Sequence, residues 1–281
     1  MRIDAHHHVW DLAVRDQPWT ADLPGLHRSF DLAELRPSLL AHGVDATVVV
    51  QTITVADETP ELLALAARES VVAGVVGWVD LMAPDVADRL AALRSRPGGH
   101  RLVGIRHQVQ GEPDPRWLCR DDVRRGLAAV AAAGVAYDLL VVPPQLPAAV
   151  ETVAALPELT FVLDHAGKPA IASGGGLASW RSDIRALAAL PNVAVKLSGL
   201  ITEADHATWT VDQLRPYVHT LLDAFGADRV MFGSDWPVCL LAGSYDDVIA
   251  AAEVLTGGLD AREQAAVFGR TAADWYRIDA A

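Results

Sequence analysis

Short apolar, β-branched runs recur along the chain, and between them the apolar positions take helical spacing. The runs that read as strands are 3–8, Ala46–Gln51, Val75–Asp80, Leu102–His107, Ala136–Val141, Thr160–His165, Val193–Ser198 and Val230–Asp235, eight in all. Asp31-Leu32-Ala33-Glu34 opens the first helical pattern like a capping box, and Gly43 follows that helix. Thr59-Pro60 starts a second, with proline at an early helical position. The spacing predicts further helices over 84–96, 121–133, 147–156, 179–190, 211–225 and 245–255. A last one, around 261–276, is expected to pack across the barrel that these units build.

Strict strand–helix alternation implies a parallel sheet, and eight such units fit a closed (β/α)8 TIM barrel of the α/β class. A doubly wound open sheet usually carries a glycine-rich turn after its first strand. Here that place holds His6-His7-His8. No linker rich in Pro, Gly or Ser divides the chain, so residues 1–281 read as one domain. The long connections are 10–30, 108–120 and 166–179, each after a strand. In a barrel such loops lie at the C-terminal face, where the chemistry is done.

Composition narrows the picture only a little. A hydrophobic content of 51% is ample for a large core. A formal net charge of −13 argues against a nucleic-acid or anionic-membrane partner. Two distant cysteines, Cys119 and Cys239, make no disulfide scaffold. Asp4 and the histidines interrupt any signal-peptide core, and no apolar run approaches membrane-spanning length. The expectation is a cytoplasmic protein with a small-molecule partner, and a homo-oligomer is left open.

The chemistry gathers at the strand ends. His6 and His8 share one face of the first strand, and His7 points away. Later strands end in Gln51, Asp80, Arg106-His107, Asp164-His165, Ser198 and Gly233-Ser234-Asp235-Trp236, with Tyr137 and Asp138 on the fifth. Taken singly, Gln51, Asp80, Asp138 and Ser198 are ordinary turn or core residues. The set His6, His8, His165 and Asp235 is not: an aspartate beside three imidazoles suits a metal ligand or a base acting on water.

HxH in DAHHHVW, His165 in LDHAGKP and Asp235 in GSDWP, in this order, resemble the amidohydrolase superfamily. GIRHQVQGEPDPRW and VKLSGL extend the likeness to the sugar-acid lactonase branch, of L-fucono- and L-rhamnono-lactonase type. The 2-pyrone-4,6-dicarboxylate lactonases are more distant. The resemblance implies hydrolysis of a lactone, a sugar aldonolactone before a dicarboxylate or sulfonated one. Asp235 would activate water, while His6, His8 and His165 polarise the carbonyl. Arg106, His107, Gln51, Tyr137 and Trp236 are candidates to bind substrate. The strand-four bridge and strand-five histidine of binuclear relatives are missing, and neither Lys168 nor Lys196, the chain's two lysines, sits where a bridging carbamate is expected. The resemblance therefore implies no required metal, with one zinc or manganese on His6, His8 and Asp235 still open. A zinc-dependent decarboxylase and a catalytically dead sugar-binding barrel are the competing readings.

Overall fold

The computed structural model describes residues 1–279. Eight parallel strands follow one another in chain order around a single sheet: β1 Ile3–His7, β2 Ala46–Val50, β3 Val72–Gly77, β4 Leu102–His107, β5 Ala136–Leu139, β6 Phe161–Leu163, β7 Val193–Leu197 and β8 Val230–Phe232. The ring closes between its first and last members. Asp235 N donates to His6 O at 2.8 Å, and His8 N donates to Trp236 O at 2.7 Å. Asp4 pins the seam from inside, its Oδ1 accepting from the amides of Ser234 (2.8 Å) and His6 (3.1 Å). The result is the (β/α)8 barrel expected from the alternation.

The helices cover the outside: α1 Leu32–Ala41, α2 Glu58–Arg68, α3 Val86–Arg94, α4 Asp121–Ala132, α5 Leu146–Ala155, α6 Leu177–Ala188, a single turn α7 Leu200–Glu203, α8 Val211–Phe225 and α9 Tyr245–Thr256. Asp31 caps α1 by accepting from Glu34 N, as its sequence predicts. The C-terminal segment is α10 Ala261–Ala265 and α11 Thr271–Tyr276, joined by a π-helical turn. Tyr276 and Ile278 join the barrel's inner apolar cluster, with Ile3, Val48, Val76 and Met231. The last helix thus plugs the N-terminal end and leaves the opposite end for polar groups.

One strand is displaced from its expected span. β3 starts at Val72 rather than Val75 and stops at Gly77. The Thr59 hydroxyl of α2 accepts from Trp78 N (2.8 Å) and donates to Trp78 O (3.2 Å), taking the backbone groups that would continue the ladder. Asp80 consequently lies in a turn, its Oδ1 accepting from Met82 N at 3.0 Å. β6 and β8 also stop early, because His165 (φ 50°) and Asp235 (φ 57°) adopt left-handed backbone conformations.

Candidate active site

The strands put a charged layer on top of the apolar plug. Along each strand alternate residues face inward. The face that carries Ala136, Val162 and Ala194 low in the barrel carries Asp138, Asp164 and Lys196 one step higher. Arg106 joins them from β4, and His6 and His8 from the β1 end. Each is less than a tenth exposed.

His6 Nε2 lies 3.2 Å from His8 Nε2. Asp235 Oδ1 lies 3.4 Å from His8 Nε2 and 3.7 Å from His6 Nε2. His165 packs its ring edge-on to His6 with centroids 4.5 Å apart, and its Nδ1 is 2.9 Å from Ser198 Oγ. Two glycines make this approach feasible. A Cβ at Gly233 would sit 2.7 Å from His6 Cβ, and one at Gly199 (φ +65°) would sit 2.7 Å from His165 Nδ1. His7 turns away, as alternation requires, and meets Thr47 Oγ1 at 3.0 Å.

The electrostatics separate these groups. Burial, joined by the Lys196 charge, pushes His6 well below the ordinary imidazole range, and burial takes His165 down to about 4. Both are neutral at pH 7. Burial alone would raise the Asp235 carboxyl, but the facing imidazoles of His165 and His8 outweigh it, and its pKa stays below the ordinary value. Asp235 is a carboxylate at neutral pH.

A pocket of about 280 Å³ opens above the cluster. His8, Arg106, His165 and Asp235 form its floor; Trp19, Gln108, Gln110, Lys168 and Glu203 are among its walls. A larger cavity of about 420 Å³ lies outside the barrel against α1 and α2, but no imidazole lines it.

The expected substrate residues divide by direction. Arg106 reaches the pocket, donating to Asp164 Oδ2 at 2.9 Å. His107 is the next residue of an unbroken strand and faces outward, stacked on Trp117 at 4.3 Å and 2.8 Å from Glu112 Oε1. Tyr137 also faces outward, edge-on to Phe161, while its neighbour Asp138 faces in. Gln51 does not line the pocket; its side chain donates to Arg106 O at 3.2 Å, and its own carbonyl accepts from the Arg106 guanidinium. Trp236 packs edge-on to Phe30 behind the pocket wall, whereas Trp19 reaches the pocket.

Lys196, Asp138 and Asp164 went unselected in the sequence. Lys196 Nζ lies 2.6 Å from Asp138 Oδ2, 2.9 Å from Asp164 Oδ1 and 3.0 Å from His6 Nδ1, and Tyr276 donates to Asp138 at 2.8 Å. The available signal was a lysine between Val195 and Leu197 in a strand whose neighbours are all apolar.

His6, His8 and Asp235 offer three donor atoms to a common point. Tetrahedral zinc with ligands at about 2.0–2.1 Å separates those ligands by about 3.3 Å, close to the 3.2, 3.4 and 3.7 Å found here. His8 Nδ1 lies 2.7 Å from the Val50 carbonyl, the outer contact a ligating histidine usually makes. The donor set fits one divalent ion.

A (β/α)8 barrel with an aspartate and imidazoles at its C-terminal mouth defines a class of hydrolytic barrel. The chain belongs to the amidohydrolase family, whose model matches residues 3–278. It is similar to L-fucono-1,5-lactonase of Burkholderia multivorans, 44% identical over 99% of this chain and 96% of that protein. L-fucono-1,5-lactonase of Burkholderia ambifaria is 43% identical over the same shares. A crystal structure of a Burkholderia multivorans amidohydrolase with bound zinc superposes with a TM-score of 0.94 at 42% identity, covering 99% of this chain and 100% of that one.

Proposed function

We propose that the protein hydrolyses a sugar aldonolactone of the L-fucono-lactone type. The observation that carries this reading is the Asp235 carboxylate, held among imidazoles on the floor of a small polar pocket, in a chain 44% identical to a named L-fucono-1,5-lactonase over nearly its whole length. Lactone opening needs a nucleophilic water, a base, and stabilisation of the oxyanion that forms. Asp235 takes the proton from water and later returns it to the ring oxygen as the alcohol leaves. His6, His165 and the Arg106 guanidinium face the developing oxyanion. With the His8 hydrogen on Nδ1 and given to Val50, Nε2 turns a lone pair inward, so it orients water or an ion better than it donates to a carbonyl. In this reading two imidazoles and a guanidinium take the part expected of His6, His8 and His165.

A divalent ion on His6, His8 and Asp235 would act as a Lewis acid and lower the pKa of a bound water. The chain's own groups already include a base and fixed donors, so turnover does not depend on such an ion. A panel of aldonolactones assayed with a pH indicator, with and without exhaustive chelation, tests both parts. Hydrolysis of L-fuconolactone that survives chelation is expected. Loss of turnover on chelation, restored by zinc, would refute the metal-independent part. No hydrolysis of any aldonolactone under either condition would refute the substrate assignment.

A further inference from the structure

The Lys196 ammonium sits within 3.0 Å of three groups, Asp138 Oδ2, Asp164 Oδ1 and His6 Nδ1, and all four residues are fully buried. An ammonium has hydrogens and no lone pair, so the nitrogen facing it must accept. A neutral imidazole has one N–H and one lone pair. With Nδ1 accepting, Nε2 of His6 carries the hydrogen. The next contacts agree. His8 Nδ1 faces the Val50 carbonyl at 2.7 Å, which only accepts, so His8 with its hydrogen on Nδ1 offers a lone pair at Nε2, and His6 Nε2 lies 3.2 Å from it. Hydrogen bonds therefore run from Lys196 through His6 and His8 to Val50 with each donor matched. Arg106 NH1 is 3.4 Å from His6 Nε2, but its closer partner is Asp164 Oδ2 at 2.9 Å.

A second arrangement is built into the same site. Asp164 Oδ1 is buried, takes no well-directed hydrogen bond, and lies 3.4 Å from His6 Nδ1. If His6 Nδ1 carries the hydrogen, Asp164 can accept it, and Nε2 then presents a lone pair toward His8 and Asp235. A metal ligand must present a lone pair, so His6 can ligate only in this second form.

We propose that Lys196 and Asp164 are opposed positioning residues for His6. Lys196 donating to Nδ1 holds the form whose Nε2 carries the hydrogen, turned toward His8 and Asp235. Asp164 accepting from Nδ1 holds the form that ligates a metal. The net change is one proton lost from Nε2 and one gained at Nδ1. The charges of the imidazole, Lys196 and Asp164 stay as they were. The inference concerns the site assigned above to lactone hydrolysis, but its test does not need turnover.

Full-length protein labelled with [15N]histidine, its His6 signals assigned by comparison with His6→Gln, reads the ring protons directly by NMR. Metal-free wild type should show a protonated Nε2 and bare Nδ1 at His6. Saturating zinc should reverse the two. Lys196→Met should show the Nδ1–H form without metal and bind zinc about 10–100-fold more tightly, the usual scale for an outer partner of a ligand. Loss of a buried cation would tighten zinc on charge grounds alone, but it would not move the proton. A wild-type, metal-free His6 already protonated at Nδ1 would overturn the proposal, as would a Lys196→Met spectrum like that of wild type. If Lys196→Met does not fold, the wild-type spectra with and without zinc still decide.

Discussion

At the scale of single residues, the decisive contrast is between Asp235 and Asp164. Both carboxylates are buried among imidazoles, yet their surroundings assign them different work. Asp164 is enclosed by Arg106, Lys196 and His6 and has no access to the pocket. Burial would raise its carboxyl, but the Lys196 charge, the contact with His6 and the Arg106 charge overcome that and hold it well below the ordinary range. A carboxylate so thoroughly compensated is a poor proton acceptor. Asp235 faces the pocket, and its nearest imidazole nitrogens stand 3.4 Å or more away, leaving it able to accept from water. Asp235→Asn should therefore lower kcat by about 10²–10⁴-fold, the range for loss of a general base. KM should change little and the thermal midpoint should hold. Steady-state kinetics beside a melting curve reads both, and near-normal kcat would remove Asp235 from that role.

At the scale of elements, strand direction sorted the candidate residues more strictly than their chemistry did. β4 continues through His107, so Arg106 and His107 cannot both face inward, and β5 divides Tyr137 from Asp138 in the same way. The barrel, its strand order and the set His6, His8, His165 and Asp235 were legible because alternation and strand-end chemistry are properties of local sequence. The Lys196–Asp138–Tyr276 network was not, since it joins β7, β5 and α11 across the barrel interior, and no periodicity reports pairs 58 and 138 residues apart. Trp236 shows the same limit. Its place beside Asp235 suggested a sugar contact, but the loop after β1 brings Trp10 and Phe30 against one another, and Phe30 against Trp236, with centroids 5.0 and 5.5 Å apart. The indole is thus part of the packing that fixes the β8 end. Trp236→Phe should cost about 1–2 kcal/mol, within the usual span for a core substitution. That lowers the melting temperature by several degrees, and KM for the lactone should stay within about twofold. A KM raised tenfold or more with an unchanged melting temperature would instead place the indole on the substrate.

At the scale of the whole molecule, charge selects the substrate. With 36 acidic residues against 23 basic ones, this chain has few cations to spare for an anionic ligand. Each cation that could meet a carboxylated or sulfonated lactone already has a partner. Arg106 is held by Asp164 at 2.9 Å, Lys168 by Glu203 at 3.1 Å, Arg15 by Glu61 at 2.7 Å and Arg116 by Glu151 at 2.8 Å. A doubly anionic lactone would enter a pocket that also contains the Asp235 carboxylate, and would have to displace those partners to find a counter-ion. A neutral aldonolactone meets amides and paired charges that can bond its hydroxyls without any net charge transfer. Kcat/KM for a neutral aldonolactone should accordingly exceed that for a dicarboxylate lactone by at least about 10²-fold, a difference of about 2.7 kcal/mol in transition-state binding. The Lys168–Glu203 pair is the lever, because it lies on the pocket wall and Glu203 is not one of the His6, His8, His165 and Asp235 group. Glu203→Gln keeps the shape and frees the ammonium. It should raise kcat/KM for the anionic lactone several-fold while leaving the neutral substrate within about twofold. Competition assays with both lactones in one reaction measure this ratio directly, and a ratio that Glu203→Gln does not move would mean that some other group sets the charge preference.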